Sequence, residues 1–68
     1  MFSEKEKDAV LTLIQNECER DGYCEERRIV KLVTLINISP ENFEAIKSNL
    51  LMWKKINFDG RKIFINEI

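Results

Sequence analysis

The sequence predicts an α+β fold that is mainly α: three helices followed by a C-terminal β-hairpin. Three observations carry this reading. Apolar residues recur at helical spacing through most of residues 4–54. Two helix starts are written in capping side chains, at Ser3 and at Ser39-Pro40. Near the end the period shortens to an alternation, and the two alternating stretches flank Asp59-Gly60.

The first helix opens at Ser3, with Glu6 three residues on. In this S-x-x-E box each side chain satisfies a free backbone N–H of the other residue. Val10, Leu13, Ile14 and Cys18 then make one apolar face, which Leu11 widens. Asp21-Gly22 ends the segment, Gly22 suiting the left-handed position after a helix, and the spacing predicts a helix over 4–20. The next stretch, Ile29–Ile38, is dense in β-branched residues, which by propensity favours a strand. Its length, the charged start Glu25-Glu26-Arg27-Arg28 and the stripe 29, 32, 33 and 36 favour a helix over 25–36, buried on more than one side.

Ser39 caps the third helix, and Pro40 fits its first position, where a missing N–H costs nothing. Phe43, Ile46, Leu50 and Trp53 form its apolar stripe over 40–54, with Trp53 expected in the core and Leu51 and Met52 off the stripe. The hairpin occupies 54–66. With Asp59 and Gly60 as the two central turn residues, Phe58 faces Arg61, Ile56 faces Ile63 and Lys54 faces Ile65. Ile56, Phe58, Ile63 and Ile65 then share the side that covers the helices. Phe64 lies on the other, as an exposed aromatic or one packed under the first helix.

Residues 1–68 make one domain. A chain this short buries only roughly 60% of its unfolded surface, so its stability is marginal. Its hydrophobic content of 44% is too high for a disordered chain. No apolar run approaches the ~20 residues of a membrane span, and no signal-peptide core follows Met1, so a cytoplasmic location is expected. With no histidine and two cysteines, Cys18 and Cys24, no metal site or cofactor is expected; Cys18 reads as a small core hydrophobe and Cys24 has no assigned role. The net charge of −1 is unevenly spread, with an acidic front over residues 1–26 and a basic excess over residues 45–68.

The stretch Ile29–Ile65, IVKLVTLINISPENFEAIKSNLLMWKKINFDGRKIFI, resembles the winged helix-turn-helix family of transcriptional regulators. Leu32 and Ile36 stand at the apolar positions of the first motif helix. Asn37 takes the turn position that needs φ > 0, Ile38 is the apolar turn residue, and Phe43 and Ile46 pin the second helix. Val33 stands where the family usually has a small Ala, which implies a wider helix crossing. The resemblance implies that helix 40–54 enters the major groove of duplex DNA and that the hairpin is the wing. Ser39, Asn42, Glu44, Lys47 and Ser48 would then meet DNA, Asn42 pairing with adenine and Glu44 with cytosine. Lys54, Lys55, Arg61 and Lys62 would neutralise phosphates.

Alternatives stand beside each assignment. Glu41 and Glu44 suit a helix N-terminus electrostatically and need no other purpose. The hairpin lysines and arginine can serve as a solvated surface that blunts a strand edge. A homodimer through helix 4–20 is expected, because so small a core gains from a partner. The competing function is a protein-interaction module on the same fold, favoured by the net −1 charge and the acidic third helix. Enzymatic activity is not expected: there is no histidine, no Gly-rich phosphate loop, and no Ser or Cys placed beside a base.

Overall fold

The computed structural model describes residues 2–66. Ser3 and Glu6 form the reciprocal capping box, and from it α1 runs over Glu4–Asp21. Gly22 closes α1 in the left-handed region, at φ 86°, with its N–H on the Cys18 carbonyl. A two-residue strand, β1 (Cys24–Glu25), follows, and α2 (Glu26–Leu35) starts directly from it. Asn37, at φ 63°, turns the chain toward α3 (Pro40–Met52), whose cap Ser39 accepts the Asn42 N–H. Lys54 is also left-handed, at φ 59°, and swings the chain into the antiparallel pair β2 (Ile56–Asp59) and β3 (Lys62–Ile65). The fold is therefore α+β and mainly helical, three helices ahead of a C-terminal strand pair.

The expected third helix is shorter than 40–54, ending at Met52, and the expected second helix gives up its first residue to β1. β1 is an addition. It pairs with β3, Cys24 opposite Ile63 and Glu25 opposite Lys62, making a three-stranded antiparallel sheet in the order β1-β3-β2. β3 is thus the central strand. The hairpin register differs from the expected one. Asp59 pairs with Lys62, Phe58 with Ile63 and Ile56 with Ile65, so Gly60 and Arg61 are the central turn residues. The backbone explains the shift: Gly60 has φ 64° whereas Asp59 and Arg61 are not left-handed, the pattern of a turn that needs Gly only at its first central position. Each partner moves by two residues, which preserves the side chains' faces.

Ile56 and Ile63 accordingly lie on the core side, fully buried. They close over Val10 and Ile14 of α1, Ile29 and Val33 of α2, and Phe43, Ile46 and Leu50 of α3, with Cys24 and Ile38 sealing the joints. Two expected core positions are vacated. Trp53 is 65% exposed because it lies beyond the last turn of α3, where Lys54 turns the chain away. Ile36 is 48% exposed because α2 has ended; Ile38, whose N–H reaches back to the Val33 carbonyl, fills the core instead. Cys18 is half-buried and donates its thiol to the Ile63 carbonyl. Burial pushes the Cys24 thiol up to about 12, assisted by the nearby Cys18 and Glu17.

Candidate nucleic-acid interface

The residues proposed to meet DNA fall into two groups in the structure. Those on α3 are largely engaged within the chain. Ser39 spends its hydroxyl on the helix cap. Asn42 is half-buried, its side-chain amide donating to Glu6 Oε2 of α1 at 3.4 Å. Lys47 is the most committed. Its ammonium sits 2.8 Å from Glu26 of α2 and 2.9 Å from Glu44 one turn before it, and its side chain is only 17% exposed. The same ammonium lies over the rings of Phe43 and Phe58, 5.8 and 5.5 Å from their centroids. Burial works to lower the Lys47 pKa, but the hydrogen bonds to Glu26 and Glu44 outweigh it and hold it above the ordinary lysine value. Ser48 remains open to solvent.

The outward face of α3 is consequently formed by Glu41, Glu44, Ala45, Ser48, Leu51 and Met52. It carries two carboxylates at its start, apolar side chains at its end, and no lysine or arginine. Met52 is 69% exposed, and Trp53 stands beside it. Trp53 also borders a hollow of about 390 Å³ with Lys7, Asn49 and Lys55, and the buried Oδ1 of Asn49 has no hydrogen-bond partner among the described residues.

The hairpin cations form the second group. Lys54, Lys55, Arg61 and Lys62 are exposed, and none has a salt-bridge partner among the described residues. They do not lie together. Lys54 and Lys55 are at the open end of the hairpin, where Asn66 donates to both of their carbonyls. Arg61 and Lys62 are at the turn. There the Glu26 N–H donates to the Arg61 carbonyl at 3.0 Å, which ties the turn to the start of α2. The Lys62 ammonium rests 4.6 Å from the centroid of the Tyr23 ring. Tyr23 in turn lies against Phe64, which is half-buried and borders a hollow with Gln15, Cys18 and Glu19 of α1.

The docking of the turn on α2 brings in residues with no motif of their own in the sequence. Arg27 and Lys31 lie one turn apart on the exposed side of α2 and share a hollow of about 430 Å³ with Arg61. Arg27 also borders a second hollow with Lys62. Like the turn cations, Arg27 and Lys31 lack a salt-bridge partner among the described residues. Arg28, by contrast, is paired with the buried Glu17. Two carboxylates border the cluster, Glu25 and Glu26, and Glu26 shares the Lys47 ammonium with Glu44. The charge run Glu25–Arg28 was the signal in the sequence; only the pairing of β1 with β3 shows which of its members meets the turn.

The apolar stripe of helix 4–20 packs within the chain. Val10 and Ile14 are buried against the chain's own α2, α3 and sheet. Among the described residues no group of histidine, cysteine and carboxylate side chains is arranged to hold a metal ion, and no helix is long and apolar enough to cross a membrane. The chain matches no family among protein-family models, no curated protein sequence and no solved structure.

Proposed function

We propose that the chain is a small DNA-binding module of the winged helix-turn-helix type, of the kind that regulates transcription, and that it binds duplex DNA. The observation that carries this reading is the set of exposed cations on the hairpin and α2 that have no salt-bridge partner among the described residues: Arg27, Lys31, Lys54, Lys55, Arg61 and Lys62. In a chain of net charge −1, Arg27, Lys31, Arg61 and Lys62 form a local basic surface at the turn, while Lys54 and Lys55 stand apart at the open end of the hairpin. The order of three helices and a hairpin, with Asn37 left-handed between α2 and α3, supports the family reading. The two free thiols accord with a reducing, cytoplasmic setting. A homodimer through α1 would use the outward side of that helix, since Val10 and Ile14 are buried in the chain's own core. The test is retention of the purified chain on mixed-sequence duplex at low ionic strength. Binding that weakens steeply with salt supports the reading, and no binding at low salt refutes it.

A second reading, a protein-interaction module, is favoured by the outward face of α3, which exposes Leu51 and Met52 and carries no lysine or arginine, and by the exposed Trp53 that follows it. A defined partner that binds the unaltered chain and a Lys55→Glu/Arg61→Glu chain alike, but not a Met52→Asp chain, would establish it over the first.

A further inference from the structure

Resting on the DNA-binding reading, we infer that the duplex is held by its phosphate backbone at the edge where the hairpin turn meets α2, through Arg27, Lys31 and Arg61, and that α3 reads no bases, so that binding is indifferent to sequence. The two residues of α3 chosen for base contact are occupied: Asn42 by Glu6 and Glu44 by Lys47. The helix start would also bring Glu41 and Glu44 toward phosphates with no free cation on that face to offset them.

The α2–turn edge has the opposite character. Arg27 and Lys31 are successive on one helix face, close enough for neighbouring phosphates of one strand. Arg61 is held beside them by backbone bonds on both sides: its carbonyl accepts the Glu26 N–H, and β3 leads from it into pairing with β1. The backbone positions of the three residues are therefore set before any ligand arrives, and binding has only their side chains to order. Lys47 offsets part of the Glu26 charge, its ammonium being shared with Glu44, and the three cations Arg27, Lys31 and Arg61 outnumber what remains. An arginine can donate two parallel N–H bonds to one phosphate, so Arg27 and Arg61 suit this task better than lysines would. Contacts to phosphate fix position without carrying sequence information.

The experiment is a set of salt titrations, from 50 to 200 mM, of the full chain on one AT-rich and one GC-rich duplex, followed by fluorescence anisotropy. The unaltered chain is expected to bind both within about threefold, because backbone contacts are common to every sequence. Arg27→Gln/Lys31→Gln/Arg61→Gln is expected to reduce the slope of log K against log salt by about 2.7, at ~0.9 for each phosphate no longer neutralised. Ala45→Gln/Ser48→Gln, on the outward face of α3, is expected to leave both affinity and slope unchanged. Thermal melting checks that the triple variant folds; if it does not, Lys31→Gln alone should reduce the slope by about 0.9. Duplex binding that survives the triple variant but is abolished in Ala45→Gln/Ser48→Gln overturns the inference and leaves the DNA reading intact. So does strong preference for one duplex. No salt-sensitive binding of either duplex overturns the function as well.

Discussion

Replacing Lys47 with methionine separates two roles for this residue, a DNA contact and an internal tie between α2, α3 and β2. Methionine keeps the length of the stem and removes the charge. Lys47 pairs with Glu26, whose side chain is 35% exposed, and with Glu44, whose side chain is 63% exposed. Pairs this open to solvent contribute ~0.3–1 kcal/mol each. The ammonium over Phe43 and Phe58 adds ~0.5–1 kcal/mol for each ring. A methionine thioether recovers part of that by its own contact with the rings. The net loss expected is ~1–2 kcal/mol, a fall in Tm of about 5–15 °C for a domain of this size. Urea unfolding followed by circular dichroism at low and high salt measures it. A double-mutant cycle with Glu26→Gln should return a coupling of ~0.5–1 kcal/mol that shrinks at high salt. Duplex affinity should change by less than about threefold, because this charge is already neutralised. Wild-type stability with no coupling to Glu26, or a large loss of DNA binding, would refute the internal role.

Gly60→Ala should cost ~1–2 kcal/mol by thermal melting. A Cβ there would meet nothing within 4 Å, so the cost is that of holding alanine at φ 64°, and Gly60→Asn should cost less. Ile63→Ala should cost ~2–5 kcal/mol, because Ile63 is fully buried on the central strand. That is a large share of the ~3–10 kcal/mol expected for a chain of this length, so far-ultraviolet circular dichroism should show partial unfolding at 25 °C. Stability should also fall on the alkaline side through Cys24. The folded state keeps this thiol protonated up to about 12, while the unfolded chain ionises it near 9.0. The stabilising difference is fully present below pH 9 and declines from there toward pH 12. Urea unfolding of Cys24→Ala should show a flatter decline over that window.

The helices were legible because their ends are chemical. Ser3 with Glu6, Gly22, and Ser39 with Pro40 each satisfy or terminate backbone hydrogen bonding locally, so residue type alone places α1 and the start of α3. Asn37 was legible for the same reason. What escaped depends on partners distant in sequence. β1 is two residues long, too short for any alternation, and exists because β3 pairs with it. The turn register followed from treating Asp59-Gly60 as an isolated dipeptide, whereas Asp59 stays in the ladder opposite Lys62. Trp53 continues the apolar spacing of α3, but the helix has already ended before it. The candidate site was half legible. The hairpin cations stand out as charges beside a turn, yet their separation into two ends, and the arrival of Arg27 and Lys31 at one of them, needed the sheet. The capture of Lys47 by Glu26 of another helix has no local signature.

Duplex binding by the unaltered chain as a function of salt, with the mass of the free protein determined alongside by light scattering, bears most directly on the proposed function. A chain that meets phosphates through Arg27, Lys31 and Arg61, with one or two further hairpin cations, should give a linear plot of log K against log salt with a slope of about −3.6 to −4.5. Affinity at 50 mM salt no different from that at 200 mM, or no binding at either, would contradict it.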